Sequence, residues 1–193
     1  MAMTRKDAIA VLAANRNGAL SVAIMQSEAP WHDAGQADEF YLDISGCMGG
    51  ASSVGLGLAL AQPERKVMVL DGDGSLLMQL GSLVTVVDSS PANLYHFVFA
   101  NGVHQSTGNQ TLPAQGRFDW CKLALAAGYK QAVNFDTRTE LEQGLPGVLA
   151  SPGPALIRMT IEVEHNAVRW PGSSMAEEVQ RMRAALPCEP PKL

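Results

Sequence analysis

The chain has 193 residues, a formal net charge of −5 and 47% hydrophobic residues. These values are typical of one globular domain, and they argue against a disordered chain and against nucleic acid or an anionic membrane as a partner. The first residues are polar rather than signal-like, and the three cysteines form no Cys-x-x-Cys pair. We therefore expect a cytoplasmic protein without a disulfide framework.

Short apolar runs alternate with helix-like segments along the chain. The predicted strands span 20–25, 40–44, 66–70, 93–100, 131–135 and 155–163. The predicted helices span 4–16, 51–61, 75–87, 118–127, 137–150 and 174–185, and the helix over 75–87 should be buried nearly all round. The main connections are a polar loop over 26–39, a glycine-rich turn over 46–50 and a long loop over 101–117.

This alternation predicts an α/β fold, with a parallel sheet and helices on both of its faces. We expect a single domain over residues 1–186, followed by a proline-rich tail over 187–193. In such sheets, ligands bind at the carboxyl ends of the strands. The two unusual connections, 71–75 and 101–116, both follow strands and should lie at that edge.

The first of these connections reads Asp71-Gly72-Asp73-Gly74-Ser75. Its glycines permit a sharp turn, and the N–H groups that open the next helix can bind a phosphate. A carboxylate beside a phosphate favours Mg²⁺, which bridges the two. The five residues alone are equally compatible with an ordinary turn in which Asp73 only caps the helix.

Two further segments bear on this alternative. Asn101 follows the strand over 93–100, so an adjacent strand would bring it to the same edge as Asp73, where its amide oxygen could complete a magnesium site. The segment Ser45-Gly46-Cys47-Met48-Gly49-Gly50 precedes a helix of small residues. On its own, Met48 would more often be a core side chain in a turn.

Together, these three segments resemble those of the thiamine diphosphate-dependent 2-oxo acid decarboxylases. In that family, Gly-Asp-Gly is followed by Asn-Asn, whereas this chain has Ala100 before Asn101. The resemblance implies that Mg²⁺ is held by Asp73, Asn101 and the backbone carbonyl of Val103. It also implies a wedge-like contact between Met48 and the bent cofactor, and further cofactor contacts from Gly46, Gly72, Gly74 and Ser75.

Within the family, residues 49–59 and 101–111 resemble the beta subunits of sulfopyruvate decarboxylases and the carboxy-terminal half of phosphonopyruvate decarboxylases. The resemblance implies decarboxylation of a 2-oxo acid that carries a second anionic group. It also implies that the glutamate that activates the cofactor comes from a pyrimidine-binding domain, so we expect a partner subunit and a hetero-oligomer. The uncharged segment over 44–62 suits burial at such an interface.

Several side chains are candidates for work on the substrate. His104 could exchange a proton near the reacting carbon, or it could simply bind solvent in a loop. Ser106, Thr107 and Gln110 could hold the substrate's second anion, although serine and threonine are also common turn residues. We interpret Cys47 as a small buried side chain rather than a nucleophile.

Two other functions remain open at this level. A carboligase, or an oxidative enzyme, would keep the cofactor and change the chemistry, although the chain has no cysteine cluster for an iron–sulfur partner group. A non-catalytic subunit that binds thiamine diphosphate, or a dinucleotide-binding module, would belong to another class. The dinucleotide alternative is weak because no Gly-x-Gly-x-x-Gly follows the first predicted strand.

Overall fold

The computed structural model describes residues 3–165, 169 and 174–186, so the expected tail over 187–193 lies outside the described residues. The helices are α1 (Arg5–Ala14), α2 (Glu28–Asp33), α3 (Ala51–Ala61), α4 (Asp73–Met78), α5 (Ser82–Ser89), α6 (Trp120–Ala127), α7 (Arg138–Ala150) and α8 (Met175–Ala185). The strands are β1 (Leu20–Ala23), β2 (Tyr41–Asp43), β3 (Val67–Gly72), β4 (Leu94–Ala100), β5 (Val103–His104), β6 (Gln110–Thr111), β7 (Gln131–Phe135) and β8 (Ala155–Thr160).

Six of the strands form one parallel sheet in the order β2-β1-β3-β4-β8-β7, which confirms the predicted α/β fold. The chain passes from β1 outward to β2 and then returns to the other side of β1 to form β3. The direction of the connections therefore reverses between β1 and β3. In open parallel sheets, a crevice forms at such a reversal, outside the carboxyl ends of the strands.

A layer of helices covers each face of this sheet. Helices α1, α2 and α7 pack on one face around buried Trp31 and Leu145, and α3, α5 and α6 pack on the other around buried Val69 and Val86. Helix α3 approaches the sheet closely at Gly55, where a β-carbon would overlap Cγ2 of Val69. None of the helices in the described part of the chain is long and apolar enough to cross a membrane.

The segment over 26–39 is not the polar loop that its composition predicts. A single 3-10 turn over Met25–Ser27 leads into the two-turn helix α2, which buries Trp31 completely. The indole Nε1 of Trp31 donates a hydrogen bond to Oγ of Ser21 in β1, at 3.2 Å. The polar residues around Trp31 concealed this anchor, because a helix of two turns is too short to show a clear hydrophobic period.

The single helix predicted over 75–87 is also wrong. The chain forms α4 and α5, which are separated at residues 79–81, with Gly81 at the position that precedes α5. The prediction of burial all round fails as well, since Met78 is 60% exposed and Val84 is 62% exposed. These side chains lie on the outer side of a single helix layer, where nothing else in the described structure covers them.

Three carboxyl groups are buried together where α8 meets the edge strand β2. Glu28 and Glu178 have no exposed surface and Asp43 has 7%. Oε2 of Glu178 accepts a hydrogen bond from the backbone N–H of Asp43 at 2.5 Å, and the carboxyl of Glu28 lies beside that of Asp43. Burial, and then the neighbouring Asp43, raise the pKa of Glu28 from 4.5 to about 10. Glu28 is therefore a neutral acid at pH 7.

Because Glu28 keeps its proton in the folded chain, we expect the stability of the protein to fall as the pH rises. Below about pH 4.5 the carboxyl is protonated in both the folded and unfolded states, and it makes no difference between them. Above that pH only the unfolded chain releases the proton. For this one group, the free energy of unfolding therefore falls by about 1.4 kcal/mol per pH unit, until the pH reaches the pKa of the folded state near 10. Urea unfolding from pH 5 to pH 9 measures this slope.

The matched variant is Glu28→Gln, which keeps the size of the side chain and cannot ionise. It should fold at pH 7 and show a flatter dependence of unfolding free energy on pH than the wild-type chain. Equal slopes for the two proteins would show that Glu28 is not protonated in the folded state. Glu39→Gln, at a surface position outside the cluster, serves as the control.

Candidate active site

A cleft opens at the carboxyl edge of the sheet, where the connections after β1, β3 and β4 meet. The residues that line it are Arg5, Ile24, Met25, Gln26, Ser27, Met48, Gly72, Asp73, Gly74, Ser75, Phe99, Asn101, Val103, His104, Gln105, Ser106 and Thr107. Ten of the twelve residues predicted from the sequence as site residues lie in this lining. The two outside it are Gly46 and Gln110.

Asp73 is held rigidly at the bottom of the cleft, at the first position of α4. Its Oδ2 accepts a hydrogen bond from the backbone N–H of Gly102 at 2.7 Å, and its Oδ1 accepts one from the N–H of Gly74 at 2.8 Å. Gly102 has a φ of +77°, a conformation that favours glycine, and this turn aims its N–H at the carboxylate. The ends of β3 and β4 are thereby joined through one side chain.

The electrostatic environment of Asp73 favours a cation. Only 3% of the residue is exposed, and this burial raises its pKa, while the two backbone N–H donors act in the opposite direction. A buried carboxylate whose charge is only partly compensated gains most from a positive ion at its remaining lone pairs. Asn101 and Val103 line the same cleft as Asp73, so carboxylate, amide and backbone carbonyl oxygens, the ligands that Mg²⁺ prefers, are all available there.

Asn101 follows β4 directly, and its side chain is fixed at both ends. Its Oδ1 accepts a hydrogen bond from the N–H of Val103 at 3.1 Å, and its Nδ2 donates one to Oε1 of Gln105 at 2.7 Å. A carbonyl oxygen has two lone pairs, so Oδ1 keeps one that is available to a metal ion. The structure therefore brings Asp73, Asn101 and Val103 to one cleft, as the sequence predicts.

The glycine-rich turn before α3 forms another wall of the cleft. Met48 is half-buried and lines the cleft, and the N–H of Gly49 donates to Oγ of Ser75 at 3.0 Å, which ties this turn to α4. Gly46, with a φ of +88°, is exposed at the outer end of the turn. The prediction that Cys47 is buried is wrong: Cys47 is exposed, on the outer part of the turn beside the exposed Gly46, whereas Gly49 at the inner end is buried.

His104 lies against the first turn of α4. A β-carbon at Gly74 would stand 2.6 Å from Nδ1 of the imidazole, so glycine at this position is what allows the ring to approach so closely. The ring faces the cleft and is half-buried. Its location beside Asp73 suits a group that exchanges protons with a bound molecule.

The hairpin of β5 and β6 carries the three residues that the sequence suggests for the substrate. Oγ of Ser106 accepts a hydrogen bond from Nε2 of Gln26 at 3.4 Å, and its own hydrogen remains available to a ligand. Nε2 of Gln110 donates to the backbone carbonyl of Thr107 at 2.8 Å. Thr107 and Gln110 are both exposed, and Oγ1 of Thr107 donates to Oε1 of Gln110 at 3.1 Å. Ser106 and Thr107 line the cleft, whereas Gln110 lies outside it.

Sequence reasoning missed Arg5, Gln26 and Gln105. Arg5 opens α1 and is only 4% exposed, with Nη1 bonded to Oε2 of Glu164 at 2.8 Å. Burial lowers the pKa of Arg5, and the Glu164 carboxylate opposes this effect. No local pattern marks these residues, because Arg5 and its partner Gln105 are a hundred positions apart in the chain.

Comparison with known proteins agrees with the family that the sequence motifs resemble. The family model described as thiamine pyrophosphate enzyme, C-terminal TPP binding domain, matches residues 22–159. The phosphonopyruvate decarboxylase of Streptomyces hygroscopicus is 47% identical over 116 residues, which cover 60% of this chain and 28% of that protein. The sulfopyruvate decarboxylase subunit beta of Methanothermobacter thermautotrophicus is 42% identical over 117 residues, which cover 61% of this chain and 60% of the subunit.

Among solved structures, benzoylformate decarboxylase from Polynucleobacter necessarius aligns with a TM-score of 0.73 and 20% sequence identity, over 84% of this chain and 34% of that one. At this identity the match supports the fold alone. The chain spans less than two thirds of the length of the curated relatives it matches.

Proposed function

Because the chain belongs to the thiamine pyrophosphate enzymes and has the fold of their carboxy-terminal TPP-binding domain, we propose that it binds thiamine diphosphate (the same cofactor) through Mg²⁺ in a decarboxylase of anionic 2-oxo acids. The observation that carries the proposal is the buried Asp73 carboxylate, which is held by the N–H groups of Gly74 and Gly102. This arrangement places a carboxyl group where the carboxyl ends of two central strands meet, and a cation there would complete the compensation of its charge.

In this proposal, Asp73, the Oδ1 atom of Asn101 and the carbonyl of Val103 hold Mg²⁺, and the ion holds the diphosphate. Gly72, Gly74 and Ser75 lie beside the diphosphate, where the absence of large side chains leaves room for it. Met48 and the backbone near Gly46 contact the organic rings. When bound, thiamine diphosphate supplies the electron sink that decarboxylation of a 2-oxo acid requires.

The remaining residues of the cleft would act on the substrate. We assign His104 a proton-exchange role at its imidazole, and Ser106 and Thr107 hydrogen bonds to the substrate's second anionic group, with Gln110 supporting them from within the hairpin. The names of the relatives, phosphonopyruvate and sulfopyruvate decarboxylases, favour a phosphonate or sulfonate as that group. The one guanidinium in the described lining, Arg5, is already paired with Glu164.

We further propose that a subunit with a pyrimidine-binding domain completes the site and supplies the glutamate that activates the cofactor. A relative with similar sequence is named subunit beta, which favours a hetero-oligomer. The exposed Met78 and Val84 would suit burial in such an assembly. A cytoplasmic location accords with the free thiols of Cys47 and Cys121.

The test is reconstitution. The chain alone should release no CO₂ from 2-oxo acids, and the chain mixed with a pyrimidine-domain subunit should release CO₂ from phosphonopyruvate or sulfopyruvate faster than from pyruvate. The measurement is CO₂ release across a panel of 2-oxo acids, with product analysis to detect ligation instead. Turnover by the isolated chain would contradict the need for the partner, and preference for pyruvate would contradict the anionic substrate.

A further inference from the structure

A chain of hydrogen bonds runs from Glu164 through Arg5 and Gln105 to the side chain of Asn101. Nη1 of Arg5 donates to Glu164 at 2.8 Å, and Nη2 of Arg5 donates to Oε1 of Gln105 at 3.0 Å. The same Oε1 accepts from Nδ2 of Asn101 at 2.7 Å. Arg5 at the start of α1 and Asn101 after β4 therefore share one oxygen atom of Gln105, although Arg5 lies a hundred positions away from Gln105 in the chain.

The direction of this chain is determined by Arg5. A guanidinium only donates hydrogen bonds, so the end of the Gln105 carboxamide that faces it must be the oxygen. That oxygen in turn only accepts, so the end of Asn101 that faces it must be the NH₂ group. The oxygen of Asn101 is thereby turned away from Gln105, toward the N–H of Val103 and the cleft.

Orientation matters here because the two ends of a carboxamide are nearly equal in size and opposite in function. An amide oxygen can bind a metal ion, whereas an amide NH₂ group has no lone pair to offer and repels a cation. A rotation of about 180° about the last side-chain bond of Asn101 would exchange the two groups, so that the NH₂ group and not the oxygen would face the metal site. Arg5 and Gln105 disfavour that rotation, since it would place two acceptors against each other.

We infer that Gln105, itself oriented by Arg5, is a positioning residue that keeps the carboxamide oxygen of Asn101 directed at the Mg²⁺ site. The inference rests on the proposed function, because it presumes the metal. Arg5 is well suited to the role, since it is buried, its charge is balanced by Glu164, and its planar fork spans both partners. Residues that form hydrogen bonds to metal ligands commonly affect metal affinity by orienting those ligands.

The experiment measures the Mg²⁺ concentration that gives half-maximal binding of thiamine diphosphate to the full chain reconstituted with the pyrimidine-domain subunit. Gln105→Leu removes the acceptor, and it should raise this concentration by about 10- to 100-fold. Gln105→Glu keeps an acceptor facing Arg5 and Asn101, and it should recover most of the Mg²⁺ affinity that Gln105→Leu loses. Gln131→Leu makes the same chemical change at a remote strand and serves as the matched control.

A second measurement separates positioning from simple support of the loop. At saturating Mg²⁺, Gln105→Leu should bind thiamine diphosphate with nearly wild-type affinity, and its thermal denaturation should match that of the control. Unchanged Mg²⁺ dependence in Gln105→Leu would overturn the inference, as would loss of binding at every Mg²⁺ concentration or failure of Gln105→Glu to rescue it. If the wild-type complex binds thiamine diphosphate equally with and without Mg²⁺, the metal assignment fails first, and the inference fails with it.

Discussion

Asp73→Ala should abolish Mg²⁺-dependent binding of thiamine diphosphate while leaving the sheet folded. The substitution removes the only carboxylate in the described lining of the cleft, so the diphosphate loses the cation that connects it to the protein. We expect the affinity for thiamine diphosphate to fall by more than about 100-fold, since replacing even a residue that only orients a metal ligand typically lowers affinity 10- to 100-fold. Calorimetric titration of thiamine diphosphate, with and without EDTA, measures this loss.

The loss of stability should leave the sheet folded. Asp73→Ala leaves the N–H groups of Gly74 and Gly102 without their acceptor, which costs about 1 to 3 kcal/mol for each donor that water cannot reach. Against this cost, the variant removes a carboxylate whose burial raises its pKa. Asp88→Ala, on the exposed end of α5, is the matched control. Equal affinity of the wild-type complex in Mg²⁺ and in EDTA would contradict the metal assignment.

His104→Ala should lower kcat by about 10²- to 10⁴-fold, the range typical of a lost general acid or base, with the affinity for thiamine diphosphate kept. Ser106→Ala and Thr107→Val should instead raise KM with little effect on kcat, because they would remove hydrogen bonds made equally in the ground and transition states. The increase should be larger for a phosphonate- or sulfonate-bearing substrate than for pyruvate, which lacks the second anion. Steady-state kinetics of the reconstituted enzyme separates the two outcomes.

A second variant guards against a purely structural explanation of the His104 result. His104→Gln keeps a polar side chain over Gly74 and cannot exchange a proton at neutral pH, so it should be as slow as His104→Ala. Recovery of kcat in His104→Gln would mean that the imidazole only packs against α4. If all these variants lose thiamine diphosphate alike, the hairpin of β5 and β6 supports the cofactor and does not select the substrate.

The sequence was sufficient to predict the six strands of the main sheet and the edge of the sheet where the cleft lies. Continuous apolar runs such as Leu94–Ala100 indicate strands buried on both faces, and their alternation with helices permits few topologies. Since the carboxyl ends of parallel strands share one edge, Asp73 and Asn101 had to lie close together once β3 and β4 were neighbours. The family motif then supplied their expected chemistry.

The errors arise where burial depends on distant parts of the chain. Met78 and Val84 look like core residues by type, yet whether a helix face is covered depends on a second layer that local sequence does not reveal. Glu28 was treated as a loop residue, whereas α8, about 150 positions later, encloses it with Glu178. Arg5 reaches the cleft because α1 begins beside Gln105, at the edge of the sheet where the cleft lies.

Gly55, which lets α3 pack closely against the sheet, also affects the dimensions of the cleft. Any larger residue there would push α3 away from Val69, and α3 would displace the turn that carries Met48. The width of the ligand site is therefore partly determined by a position that no ligand touches. Related proteins can therefore differ in the size of the ligand that the cleft accepts because the distance between a helix and the sheet differs, without any change among the residues that face the substrate.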